Sequence, residues 1–123
     1  MKKPKNGTIA WHDLTARNAD KLRDFYKTVV GWQFSGIDMG GYEDYVMMTS
    51  KPKDGVAGVC HKRGPNKDVP KGWMMYIQVK NFSQSLSSCK KKGGRQLGKT
   101  RSMGKMKFAY LKDPEGNTFA IVG

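Results

Sequence analysis

"NADKLRDFYKTVVGW", residues 18–32, has the form of one complete helix with its start and stop signals. Asn18 is a good N-cap because its side-chain oxygen can accept a hydrogen bond from a first-turn N–H. Ala19, Leu22, Phe25, Tyr26 and Val29 then recur at the three-and-four spacing of a helical face. Asp20 in the first turn and Lys27 in the last complement the helix dipole, and Gly31 supplies the left-handed stop. The spacing therefore predicts a helix that buries one stripe against a sheet.

A weaker copy of the pattern lies downstream. Asn81 or Ser83 can cap it, Phe82, Leu86 and Cys89 mark one face, Lys90, Lys91 and Lys92 fill the last turn, and Gly93 with Gly94 ends it. Strands are expected at about 8–14, 32–37, 43–49, 55–62, 73–79, 95–98, 107–112 and 117–122, separated by Gly-, Pro- and Asp-bearing turns. "DPEGN", residues 113–117, is a hairpin signal because Pro114 fixes one turn angle and Gly116 can take a positive φ. The order is strand, helix, three strands, twice over. A shift of 63 residues lays Asn18 on Asn81, Gly31 on Gly94, Gln33 on Gln96 and Phe34 on Leu97. The polar stretch "RGPNKDVPKG", residues 63–72, is the expected linker between a module at about 8–62 and a second at about 73–122.

Bulk properties bound the function. A chain of 123 residues suits a single domain with a real core, here read as 1–123. With 37% hydrophobic residues, 15 Gly and 5 Pro it reads as folded and rich in turns. No apolar run approaches the roughly 20 residues of a membrane helix, and "MKKPKNGTIAW" has no apolar stretch of a secretory signal, so a cytoplasmic protein with no membrane partner is expected. The two cysteines, Cys60 and Cys89, form no C-x-x-C pair and read as reduced apolar side chains, with a disulfide between them left open. The formal charge is +13, and no acidic residue falls between Asp68 and Asp113. That cationic half would attract nucleic acid, anionic lipid or acidic metabolites, yet no nucleic-acid-reading motif accompanies it.

With these residues in place, "NADKLRDFYKTVVGW" resembles the helix of the vicinal oxygen chelate superfamily, which includes glyoxalase I, bleomycin-resistance proteins and extradiol dioxygenases. "FAYLKDPEGNTFAIVG", residues 108–123, is similar to its closing hairpin, and "WxDL" at Trp11 to Leu14 with "GWMMYIQV" at Gly72 to Val79 resembles a glyoxalase-like subgroup of unknown activity. The resemblance covers about Thr8 to Gly123. It implies an α+β fold of paired βαβββ modules whose strands curl into a mixed-sheet cup with the helices outside, and a homodimer as in many small relatives. A fold of this kind hosts many chemistries, so it leaves the activity open.

Metal-dependent members place His, Gln or Glu at one cup-facing position on the first and last strand of each module. Carried onto this chain, those positions hold Trp11, Met74, Ala120 and, near the fourth, Gly58, none of which supplies an ordinary side-chain ligand. No metal and no cofactor are therefore expected. Strand alternation then sends Trp11, Asp13, Gly58, Cys60, Met74, Tyr76, Gln78, Thr118 and Ala120 into the cup. Ile77, Val79, Phe119 and Ile121 turn to the helices, and His12 joins Ala10 and Leu14 on the helix side. His61, beside Lys62 and Arg63, reads as a surface histidine. The inward set suits a small-molecule pocket, and equally a packed core filled by methionine and aromatic rings.

Two functions follow. The first is metal-independent binding of a planar or apolar, anionic small molecule, with Trp11 and Tyr76 stacking on it and Asp13 and Gln78 orienting it. The alternative is a glyoxalase-like lyase or isomerase with an absent or non-standard metal site, for which Asp13 is the candidate proton-transfer residue. Whether the chain is an enzyme stays open between them. Charge-driven nucleic-acid binding is a third class, recognisable by steep salt dependence.

Overall fold

The computed structural model describes residues 5–49 and 55–123. Among the described residues eight strands and two α-helices follow in the order β1 (Ile9–Ala16), α1 (Ala19–Val30), β2 (Gln33–Asp38), β3 (Glu43–Met48), β4 (Gly55–His61), β5 (Gly72–Gln78), α2 (Phe82–Lys91), β6 (Arg95–Met103), β7 (Met106–Lys112) and β8 (Thr118–Val122). A 3-10 turn, Gly64–Asn66, lies in the segment before β5. This is an α+β chain in which a βαβββ pattern occurs twice. It divides into two compact units, His12–Trp73 and a second formed by Met74–Gly123 with the stretch that ends at Trp11.

In the unit His12–Trp73, β1 pairs parallel to β4, while β4 with β3 and β3 with β2 are antiparallel. Asn18 accepts a hydrogen bond from the Lys21 N–H at 3.0 Å, and Gly31 closes α1 in the left-handed region at φ 75 with its N–H bonded to the Lys27 carbonyl. Leu14, Ala19, Tyr45, Met47, Ala57 and Val59 form the core, against which Leu22, Tyr26, Trp32 and Phe34 pack. Burial of the Leu14, Met47 and Val59 side chains contributes about 1.5–3 kcal/mol each. Leu14 and Val59 are Cα partners, as are His12 and Ala57, which places His12 on the helix-facing side as its strand position predicts. Asp13, Thr15, Gly58 and Cys60 consequently share the opposite side.

In the other unit β5 runs parallel to β8, and β7 is antiparallel to both β8 and β6. Residues 6–8 attach here. The Gly7 N–H donates to the Gln78 carbonyl at 2.7 Å, the Gln78 N–H to that of Thr8 at 2.8 Å, and the Lys80 N–H to Asn6 Oδ1 at 2.8 Å. Val79, Ala109, Leu111 and Ile121 are buried under Phe82, Leu86 and Cys89 of α2, with Phe119 packed beside them. Val79, Phe119 and Ile121 thus face the helix as the alternation requires.

The largest departure from the sequence reading is β6. The pattern of residues predicts a strand over 95–98, and the strand runs to Met103. Gly98 at φ 72 takes the positive-φ kink of a register shift between Leu97 and Arg101, after which pairing resumes at Arg101 with Phe108. The glycine interrupts the strand pattern without ending the strand. The matched stops Gly31 and Gly94 also do different work. Gly31 needs its φ and has open space around it, whereas a Cβ on Gly94 would lie 2.7 Å from the Lys112 carbonyl oxygen and 2.5 Å from Cys89 Sγ. The left-handed role after α2 falls to Gly93, at φ 93.

Candidate functional site

The predicted inward residues divide between the units. Asp13, Gly58 and Cys60 lie in His12–Trp73, and Trp11, Met74, Tyr76, Gln78, Thr118 and Ala120 in the other. Met74, Gln78 and Ala120 are buried, while Trp11, Tyr76 and Thr118 are half-buried. Ala120 is the Cα partner of both Tyr76 and Tyr110, and Phe108 is the partner of Val122, so these side chains occupy the sheet face opposite α2. Gln78 turns its amide back to its own chain, donating from Nε2 to the Val79 carbonyl at 3.3 Å.

On that face stands an aromatic cluster of which the sequence reading named only Tyr76. The Tyr76 hydroxyl donates to that of Tyr110 at 3.3 Å, their rings meet edge to face at 6.2 Å, and Phe108 lies 6.3 Å from Tyr76 and 5.9 Å from Tyr110. The Arg101 guanidinium is 5.2 Å from the Tyr110 ring centre, a distance for cation–π attraction. Tyr110 is buried, while Tyr76, Phe108 and Arg101 keep part of their surface. The i, i+2 spacing of Phe108 and Tyr110 in "KFAYLK" could have placed both rings on one face. Arg101 lay outside the expected strand and was out of reach.

The other unit holds a polar cluster built on Asp44. "YEDYVMM" puts Tyr45 and Met47 into the core, so Asp44 turns to the other side of β3 and is buried there. One oxygen accepts the His61 backbone N–H at 2.8 Å and lies 3.3 Å from His61 Nδ1, and the second accepts from Asn66 Nδ2 at 3.4 Å. Burial, reinforced by the negative charges of Asp13 and Asp44, pushes the Cys60 thiol up to about 12, so it is a neutral donor and not a nucleophile at neutral pH. His61 is therefore no plain surface residue. Its side chain is 12% exposed, held by Asp44 on one side and by the edge of Tyr42 at 5.4 Å on another. The basic neighbours Lys62 and Arg63 suggested exposure, but Lys62 bends away to the carbonyls of Lys67 and Val69, and Arg63 stacks on Tyr42. An acidic residue at an inward strand position was the available signal for Asp44.

An imidazole whose Nδ1 faces a buried carboxylate is oriented for proton transfer through Nε2. A metal is a poorer fit. The family positions carry an indole, a buried thioether, a methyl and a glycine, and among the described residues no three His, Cys, Asp or Glu side chains converge to hold an ion. Both cysteines are free thiols. Among the described residues no helix is long and apolar enough to cross a membrane.

Comparison with known proteins agrees with this architecture. The family model of a glyoxalase-like domain matches residues 10–122. A glyoxylase-like domain-containing protein of Didymella fabae is 28% identical over 125 residues, covering 94% of this chain and 93% of its own. Among solved structures, a glyoxalase/bleomycin resistance protein/dioxygenase superfamily member from Vibrio splendidus 12B01 superposes with a TM-score of 0.60 at 11% identity, covering 91% of this chain and 95% of its own. Methylmalonyl-CoA epimerase of Streptomyces coelicolor superposes with a TM-score of 0.58 at 14% identity, covering 96% and 97%. At such identities the structural likeness speaks to fold alone.

Proposed function

This chain belongs to the glyoxalase-like domain family, and from that premise we propose that it is a metal-independent binder of a flat, anionic small molecule. The observation that carries the reading is the Tyr76, Phe108, Tyr110 and Arg101 cluster. Its rings offer an apolar platform and its guanidinium a charge-matched anchor on one sheet face. Trp11, Met74, Gln78, Thr118 and Ala120 of the same unit complete the expected lining, with Trp11 a second stacking surface. Asp13, Gly58 and Cys60 are the proposed lining within the unit His12–Trp73, taken by itself. The acid-free stretch 69–112 supports preference for an anion. We further infer a single-domain cytoplasmic homodimer, which sedimentation at tens of micromolar tests.

The binding test is a fluorescence and NMR screen of anionic aromatic carboxylates and phosphates. Trp11→Ala or Tyr76→Ala is expected to weaken a hit by about 2–4 kcal/mol, by analogy with aromatic hot spots, against about 1 kcal/mol or less for an exposed lysine. Hits that bind both variants as well as the wild type defeat the reading.

The Asp44 and His61 pair favours a second reading, a lyase or isomerase in which His61 Nε2 removes a proton next to a carbonyl. Asp44 orients it, and this pair replaces Asp13 as the better proton-transfer candidate. Deuterium uptake at the α-carbon of a methylmalonyl thioester, lost in His61→Gln, is the expected result. Uptake that survives the change removes the reading.

A further inference from the structure

The helix-facing side of the second unit carries a groove of about 430 Å³ between α2 and the β6–β7 hairpin. It lies on the sheet face opposite the aromatic cluster. Its apolar wall is Phe82 and Leu86, the same two side chains that cover the buried Ala109 and Leu111. Around that wall stand four hydroxyls, Ser83 and Ser87 one helical turn apart on α2 and Thr100 and Ser102 two residues apart on β6. Two ammonium groups complete the lining, Lys90 one turn beyond Ser87 and Lys107, the Cα partner of Ser102 on β7.

The charge arrangement is one-sided. Among the described residues no carboxylate lines the groove and neither lysine has an ion-pair partner. The nearest acidic residues in sequence are Asp68 and Asp113, so α2, β6 and β7 supply none. Two like charges on one groove repel each other in the free protein, and a shared anion relieves that repulsion. Thr100 Oγ1 already accepts a hydrogen bond from Gln96 Nε2 at 3.1 Å, which directs its own proton elsewhere. Hydroxyls and ammonium groups are donors in number suited to a dianion with three terminal oxygens, more than a two-oxygen carboxylate can use.

We propose that this groove binds a small phosphate monoester, its phosphoryl group between Lys90, Lys107 and the four hydroxyls and its compact apolar part against Phe82 and Leu86. It is a site separate from the proposed aromatic one, and the two are told apart by which amides respond. The lysines sit in an open groove, so affinity is modest and falls with salt.

The probe is phenyl phosphate titrated into the full-length ¹⁵N-labelled protein. Saturable shifts of the Ser83, Ser87, Thr100, Ser102 and Lys107 amides are expected, with inorganic phosphate shifting the same amides more weakly and benzoate weaker still. Lys90→Gln/Lys107→Gln is expected to raise the phenyl phosphate Kd about tenfold, the equivalent of about 1.4 kcal/mol. Lys112→Gln, a lysine outside the groove, is expected to leave it unchanged. All these side chains except that of Lys112 are exposed, and an unchanged spectrum elsewhere confirms that the variants fold. Shifts confined to the Tyr76, Phe108 and Tyr110 face, equal losses in every lysine variant, or an unchanged Kd in the double variant overturn the proposal. So does a short duplex DNA that shifts the groove amides at lower phosphate concentration than phenyl phosphate, because the groove is then a backbone contact.

Discussion

Replacing Asp44 with alanine isolates the polar cluster that orients His61. The carboxylate is buried and accepts the His61 backbone N–H, faces His61 Nδ1, and receives Asn66 Nδ2. Alanine leaves the N–H at the end of β4 without an acceptor, at about 1–3 kcal/mol for a buried donor. The side chains of His61 and Asn66 can turn to water, so their losses are about 0.5–1 kcal/mol each on the scale of net hydrogen bonds. Relief of a buried charge offsets part of this. The net expectation is a destabilisation of about 2–4 kcal/mol. Urea unfolding at pH 7, followed by tryptophan fluorescence and far-UV circular dichroism, measures it from the midpoint at constant slope. Asp24→Ala serves as control. That carboxylate is 68% exposed and pairs with Arg23 at 3.0 Å, so its loss is expected to cost about 1 kcal/mol or less. If Asp44→Ala unfolds within about 0.5 kcal/mol of the wild type, a typical surface value, the cluster holds nothing together and the oriented imidazole loses its support.

Four further outcomes follow from local structure. Gly94→Ala is expected to lose about 1–3 kcal/mol through overpacking against the Lys112 carbonyl. Gly31→Ala should lose about 1–2 kcal/mol from left-handed backbone strain alone, and chemical denaturation compares the two. In a Cys89→Ser background, Cys60 should label with iodoacetamide far more slowly when folded than in urea at pH 8. Its thiol is raised above the unfolded value, so it favours folding below about pH 9 and loses that contribution as pH rises toward 12; fast labelling at pH 8 contradicts this. Asp113 is held below the usual carboxylate range, first by the Asn117 backbone N–H and then by its side-chain amide. A depressed carboxylate favours folding above its unfolded pKa and loses that as pH falls through the folded one, so Asn117→Ala should move the NMR midpoint of Asp113 upward.

The sequence by itself determined the elements and their order. Asn18, Gly31 and the apolar stripe between them are local signals, because a cap and a helical face depend on neighbours within four residues. Period-two alternation is equally local, and it correctly sent Leu14, Val79, Phe119 and Ile121 to the helices. Tertiary structure alone decided what stands beside what. Asp44 and His61 are 17 residues apart and meet because β3 and β4 pair antiparallel. Arg101 reaches Tyr110 only because Gly98 absorbs a register shift and the strand continues beyond it. Lys90 and Lys107 line one groove because α2 lies over the hairpin that carries Lys107. No single residue encodes such encounters. They are set by register and by packing across the sheet, where side chains distant in sequence compete for the same few ångströms of space.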